Sequence, residues 1–440
     1  MKNEFKIFGI FAGVFLLAYF LPLSNPRIQS AILEAFRMLQ WYARNHTLAC
    51  VVPALFIAGA ITTFLSKEAV LRRLGPRARK AEAYCVASVS GTVLAVCSCS
   101  VLPMFTGIYR VGAGLGPASA FLYSGPALNI LAVFLTARVL GFQLGLWRAL
   151  GAIVFGILLG LIMATLFRRD EQKRQAIAMQ LPEPPRARRR SWQTALYFAA
   201  MMAFLVFSDW YNPGNVTLQL SDGRSFSAVI LQETVQDIVV QVDRATEQLP
   251  LGQRLTIPKS DILVQEATAS WVMDVYRVKW YLAGLMGLAV LAMAWKWFDR
   301  TEIHDWMTNT WGFTKLLVPL LFGGVFVVGF LSELIPGEQI ASWVGDNGIL
   351  SILIASVIGC LFYFATLTEI PILQALIEHG MAQGPALALL LAGPALSLPS
   401  ILVIRSVLGV QKTIAFASLV IIMATAAGLI YGLLFEGGAI

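Results

Sequence analysis

The chain has 440 residues, of which 58% are hydrophobic and only 13% charged, with a formal net charge of +8. Soluble domains carry about 25% charged residues, so this composition excludes an ordinary soluble globular protein and reads as a polytopic membrane protein. The positive residues gather in two loops beside apolar segments, which the positive-inside rule explains without a nucleic-acid partner. Five cysteines in apolar settings are too few for a disulfide framework.

In chain order, apolar segments long enough to cross a membrane are expected at 5–24, 47–66, 117–138, 142–167, 192–209, 280–297, 315–334, 384–404 and 413–435. The first has a basic start, but no small-residue cleavage site follows in Leu21-Pro22-Leu23-Ser24, so it reads as a retained span. Two further apolar regions, 83–110 and 350–380, are interrupted by Ser/Cys/Pro and by Thr/Glu/Pro. The loop 66–82 and the segment 168–190, which ends Arg186-Ala187-Arg188-Arg189-Arg190, are both rich in Lys and Arg and should be cytoplasmic. They share a side only if 83–110 enters and leaves on one face, so it is expected to be re-entrant.

From Val216 to Glu266 the pattern changes to strand-like alternation, with a hairpin turn at Ser221-Asp222-Gly223. Four or five short strands, resembling a small SH3-like barrel, are expected there. The implied organisation is an N-terminal span and external loop (1–45), a first membrane repeat (46–167) and a basic cytoplasmic linker (168–191). A connecting span (192–212), an external β domain (213–272), another connecting span (273–311) and a second membrane repeat (312–440) follow.

The repeat is visible without a gap when Pro103 is set over Pro371. Gly112 then falls on Gly380, Gly116-Pro117-Ala118 on Gly384-Pro385-Ala386, and Gly125-Pro126-Ala127-Leu128 on Gly393-Pro394-Ala395-Leu396. Gly112 and Gly116, with Gly380 and Gly384, are expected to be tight turns before the next span. A duplicated apolar unit with Gly/Pro breaks at matching places is the signature of a repeat-built transporter. The loop 335–349, which matches the basic loop 66–82, has no Lys or Arg and looks external. The second copy should therefore be inverted. The expected fold is all-α and polytopic, with two inverted repeats, each holding a re-entrant or broken-helix hairpin, and an inserted β-barrel-like domain.

Candidate site residues lie at the breaks. Cys97, Ser98, Cys99, Ser100 and Pro103 form the first tip, and Thr366, Thr368, Glu369 and Pro371 the second. Proline removes a backbone donor and disfavours helix just before it, so free carbonyls and hydroxyls are expected at both tips. Such backbone is tolerated at depth only against protein or a water-filled cavity. The bland reading is that the hydroxyls bond back to their own helices. Gly125, Pro126 and Asn129, matched by Gly393, Pro394 and Ser397, form a second pair of breaks that either line a site or permit close helix crossing. Cys97 and Cys99 are either soft ligands for arsenic, mercury or copper, or small buried apolar residues. Glu369 suits proton coupling or cation attraction, or else a fixed ion pair with Arg138, Arg148 or Arg405. No nucleotide loop, Ser-His-Asp arrangement or metal-spaced His cluster appears, so neither catalysis nor a cofactor is indicated.

The run Cys97-Ser98-Cys99-Ser100-Val101-Leu102-Pro103, then Gly107 to Pro117 and Gly125-Pro126-Ala127-Leu128-Asn129, resembles the ArsP-type permease family, which includes YraQ-like proteins. The resemblance covers about 45–167 and 312–435 and leaves the β insert outside the family pattern. It implies a transporter of the bacterial inner membrane, embedded in lipid, with trivalent organoarsenicals as one expected exported substrate, and the reading of Glu369 adds the expectation of secondary-active export driven by protons. The family's cysteine motif falls on Cys97 and Cys99. A permease for another solute with structural cysteines, or a membrane scaffold displaying the β domain, are the alternatives. The sequence leaves the oligomeric state open.

Overall fold

A computed structural model describes residues 25–64, 79–94, 97–180, 190–210, 215–233, 237–242, 254–267, 271–334, 343–362, 369–378 and 380–435, with Phe15, Tyr19 and Pro22. Most of the expected first span, the loop 66–78, Thr366 and Thr368 lie outside the described residues.

The chain runs α1 (Pro26–Tyr42), a π-helical turn (Ala43–Val51), α2 (Val52–Phe64), α3 (Lys80–Leu94) and α4 (Ser98–Val111). Then come α5 (Leu115–Ala127), α6 (Ile130–Val139), α7 (Phe142–Leu166), α8 (Arg168–Gln180) and α9 (Ser191–Ser208). Five strands follow, β1 (Asn215–Leu220), β2 (Ser225–Glu233), β3 (Asp237–Val242), β4 (Arg254–Pro258) and β5 (Ile262–Ala267). The remainder is α10 (Trp271–Trp297), α11 (Arg300–Leu334), α12 (Ile349–Leu361), α13 (Glu369–Glu378), α14 (Gln383–Ala392), α15 (Leu398–Leu408) and α16 (Val410–Phe435).

Among the described residues five helices are long and apolar enough to cross a membrane: His46–Phe64, α7, α10, most of α11, and α16. A sixth counts if α5 and α6, bent by 45° at their junction, make one broken span. At 1.5 Å per residue, the 25 residues of α7 reach about 37 Å, more than a hydrocarbon core of about 30 Å. Its surface is apolar on the outside: Phe142, Leu146, Leu150, Val154, Leu158, Ile162 and Leu166 are all exposed and recur every four residues. Its inner face is built from small residues, with Gly145, Gly151, Ala152, Gly156 and Gly160 buried. That is the reverse of a soluble helix and the expected arrangement in lipid, where small residues let backbones approach.

The two halves are packed alike. In the first, α3 packs on α5 and α5 on α7; in the second, α12 packs on α14 and α14 on α16. A Cβ on Gly116 would lie 2.8 Å from the carbonyl of Gly160, and one on the matching Gly384 would lie 2.9 Å from that of Gly428. Gly116 and Gly384 thus serve close helix contact, whereas tight turns were expected there. The turns belong to Gly112 (φ 122°) and Gly380 (φ 102°), in backbone that L side chains rarely adopt. Across the halves, α4 packs on α15 and α13 on α6.

The insert is a five-stranded antiparallel sheet in the order β4-β3-β2-β1-β5. Val216, Leu218, Leu220, Phe226, Ala228, Ile238, Val240, Val242 and Ile257 make its core, alternate residues pointing to one face. The expected turn is present, closed by Gly223 N–H donating to Leu220 O at 3.0 Å, with Gly223 at φ 84°. β4 and β5 stand at opposite edges of this order, so the described residues give an open sheet and no barrel closure.

Candidate functional site

The first of two polar clusters is built on the break between α5 and α6. Pro126 offers no N–H, and α5 ends one residue later at Ala127, so Gly125 and Pro126 stay inside the helix and the break falls at Leu128–Asn129. The break thus falls just after the expected Gly-Pro: the N–H that Pro126 lacks would have reached Leu122 O, one turn before it, while Leu128 N–H still donates to Ser124 O and Asn129 N–H turns to Pro126 O. The carbonyl of Ala127, left at a helix end, accepts a hydrogen bond from Arg148 Nε at 3.2 Å. Arg148 Nη1 donates to Thr136 Oγ1 at 2.9 Å, and that hydroxyl donates to Ala132 O at 2.7 Å.

The third group on Arg148 is Glu369, its Oε1 2.5 Å from Nη2, with both side chains at 0% exposure. Glu369 opens α13, where the positive end of the helix dipole favours a carboxylate. Its Oε2 has no hydrogen-bond partner among the described residues. One arginine therefore joins the end of α5 to the start of α13. Of the three arginines expected as partners, Arg148 is the one that meets Glu369.

In the second half α14 ends at Ala392, and Gly393, Pro394 and Ala395 form the turn. Ser397 then caps α15, its Oγ accepting from Ser400 N–H and lying 2.8 Å from Ser400 Oγ. Asn129 and Ser397 are both buried. Pro371 falls in the first turn of α13, where a missing N–H costs little.

The second cluster surrounds the first tip. Helix α4 begins at Ser98, so Pro103 lies inside it and does not end it; the expectation of unwound backbone just before Pro103 is corrected accordingly. What proline removes is the N–H that would reach the carbonyl of Cys99. Ser100 is a capping residue: its Oγ accepts from Cys97 N–H at 3.1 Å, as the bland reading held. Ser98 Oγ is buried without a partner among the described residues. The side chain of Cys99 lies outside the described residues. Cys97 meets Cys50 instead, Sγ to Sγ 2.6 Å, and Asp209 joins them, the three ligand atoms lying within 4.8 Å of one another.

Nothing in the sequence brings Cys50 or Asp209 to Cys97. Cys50 sits in the π-helical turn before α2, Asp209 caps α9, and contacts across separate spans have no local signal. Arg148 did carry a signal, as a single cation amid the apolar run of α7.

A third arrangement holds the base of the hairpin. Arg174 of α8 donates to Tyr109 O at 2.8 Å and Ala113 O at 2.6 Å, pairs with Glu171 and lies 3.9 Å over the Tyr109 ring. The basic segment after α7 thus caps the last turn of α4.

Over residues 32–433 the chain matches the ArsP_1 family, described as a predicted permease. The chain belongs to this family. It is 37% identical over 393 residues to the UPF0718 protein MJ0584 of Methanocaldococcus jannaschii, covering 89% of this chain and 93% of that protein. A shorter stretch of 60 residues is 47% identical to the UPF0718 protein YraQ of Escherichia coli K12, covering 14% of this chain and 17% of YraQ. No solved structure matches. As a member of the predicted permease family with several apolar helices, the protein is a multi-pass membrane protein.

Proposed function

We propose that the protein is a secondary-active permease whose two halves are inverted repeats, moving a small solute through a midplane site bounded by the two hairpin helices and the two broken spans. The observation that carries this reading is the Arg148–Glu369 pair, fully buried and bonded to the freed carbonyl of the first break. Burying two charges in a membrane protein is costly and is retained chiefly where ions or protons pass. The reciprocal packing of α4 on α15 and α13 on α6 supports a two-fold relation between the halves. The charge contrast between the loops 66–82 and 335–349 supports an axis in the membrane plane, with 66–82 and 168–190 cytoplasmic.

Glu369 is the proton-coupling group: protonation releases Arg148, and the hairpin helix of one half separates from the broken span of the other. Ser98, Asn129 and Ser397, with Thr366 and Thr368, line the path, and Gly393-Pro394 provides the second break. The family resemblance and the thiol at the first tip favour trivalent organoarsenicals as exported substrate, from the cytoplasm across a bacterial inner membrane. Reconstituted vesicles carrying a pH gradient test this with methylarsenite as substrate. Gradient-driven uptake abolished by Glu369→Gln, with insertion unchanged, is the expected result; full transport by that variant overturns the coupling role.

A further inference from the structure

We infer that Cys50, Cys97 and Asp209 form a chelating site for a soft divalent d10 cation, of the class of Zn(II), Cd(II) and Hg(II). Three separate elements deliver the donors. Cys50 comes from the π-helical turn ahead of α2, Cys97 from the N-cap of the hairpin helix α4, and Asp209 from the C-cap of α9. Ser208 Oγ donates to Ala49 O at 2.6 Å, so α9 and the π-helical turn are pinned together one residue from the donors on each side. π-helical turns recur at functional sites because the extra residue re-aims the side chains around it.

The chemistry of the set selects the ligand. Thiolates favour soft and borderline metals over magnesium or calcium. Cys50 hydrogen-bonds to the Asp209 carboxylate, so the metal-free cluster is held by protons. Groups facing Asp209 from the surrounding elements are Cys50, Cys97, His46 of the π-helical turn and Lys279 of α10. Binding exchanges two thiol protons for one M(II), with two S–M bonds formed and both protons passing to solvent. Neither sulfur changes oxidation state. The bis-thiolate M(II) is neutral but only two-coordinate, so the carboxylate supplies a third donor toward a tetrahedral set, which a dithiolate-bound methylarsenic(III), already three-coordinate through its As–C bond, does not need. That difference points to a cation.

The geometry is close to what such an ion requires. Two thiolates at about 2.3 Å from tetrahedral zinc lie about 3.8 Å apart. The sulfurs here are 2.6 Å apart, so each has to withdraw by about half an ångström, within reach of a small χ1 rotation. His46 Nδ1 is buried with no hydrogen-bond partner among the described residues, a ring nitrogen facing Asp209 that suits a second shell.

The test is Cd(II) binding to the reduced, detergent-purified full chain, followed by the ultraviolet thiolate-to-cadmium charge-transfer band. One Cd(II) per chain is expected, with affinity falling as pH is lowered because the thiols must deprotonate. Cys50→Ser and Cys97→Ser should each lower affinity by about 100-fold or more, judged against the 10–100-fold cost of second-shell losses, and Asp209→Asn by about 10-fold. Cys85→Ser and Cys360→Ser should leave binding unchanged. Maleimide mapping of the unaltered chain gives a result that no folding defect can mimic: Cd(II) should protect Cys50 and Cys97 together. Protection of Cys97 with Cys99 but not Cys50 overturns the site, as does a Cys50–Cys97 disulfide that persists in reductant. The inference concerns binding alone. Cadmium held in this way by a chain that fails to transport would keep it and refute the permease mechanism, and the reverse outcome would refute only this site.

Discussion

Removing the Arg148–Glu369 pair one partner at a time, and then both together, separates its structural from its mechanistic role. Breaking a buried pair by truncating one partner costs about 3–5 kcal/mol, because the remaining charge is stranded. Glu369→Leu should therefore destabilise by about that amount, while Arg148 keeps its bonds to Ala127 O and Thr136 Oγ1. Arg148→Met should cost the same plus about 1–3 kcal/mol for the orphaned Ala127 carbonyl. In the double variant no charge remains buried, so only the carbonyl cost of about 1–3 kcal/mol should persist. A double-mutant cycle by reversible unfolding in mixed detergent micelles reads the coupling directly. Additive losses, with the double variant as unstable as the two singles summed, would mean the side chains do not meet and the site is misdrawn. Transport divides the remaining readings. A stable double variant that moves no solute supports a proton-coupling pair; one that transports normally makes the pair a structural strut.

Three smaller tests address the frame around the site. Gly112→Ala and Gly380→Ala force an L side chain to φ 122° and 102°, so each should cost about 1–3 kcal/mol in thermal unfolding. Arg174→Ala should raise hydrogen exchange at residues 109–113 by loosening the end of α4, and Arg174→Lys should not rescue it, since an ammonium cannot span two carbonyls and stack on Tyr109. In the β1–β2 turn, the Arg224 side chain and then its backbone N–H hold the Asp222 carboxyl below the usual carboxylate range. The folded value is depressed, so this contact contributes fully above the unfolded pKa of about 3.9 and is lost as pH falls through the folded value. An Asp222→Asn variant should lack that acid sensitivity of the turn in hydrogen exchange.

Much of the fold was legible because the signals that mark it are local or repeat. The five strands alternate with the period of a pleat, and β1 through β5 fall where the alternation places them. The Gly/Pro register across the two halves predicts matched elements, and it returns as the same close contact at Gly116–Gly160 and Gly384–Gly428. Local rules misled at Pro103, whose fixed φ is compatible with the helix that surrounds it. The missing N–H costs one hydrogen bond without ending α4, which starts at Ser98. They misled again at Gly116, where the same residue type serves backbone approach instead of a positive φ.

The clusters were legible only in part, for a physical reason. A charge in an apolar run is conspicuous because lipid makes it expensive, so Glu369 and Arg148 stand out singly and each implies a partner. Sulfur carries no such cost. A buried thiol behaves as a small apolar group, and Cys50 is indistinguishable by composition from Cys360, which is also buried. The Cys-x-Cys spacing drew attention to Cys99, yet residues two apart on a helix point to different faces. Cys97 is the N-cap of α4, and its sulfur meets Cys50 of the π-helical turn. A chelate built from one tip residue and one residue of a neighbouring span avoids that conflict, and it ties the hairpin's position to the metal: moving α4 relative to α2 must separate Cys97 from Cys50. If the hairpin shifts during transport, Cd(II) bound at these thiols should inhibit transport of a substrate that contains no metal, and Cys50→Ser should relieve that inhibition. Transport indifferent to saturating Cd(II) would show that α4 and α2 move as one body.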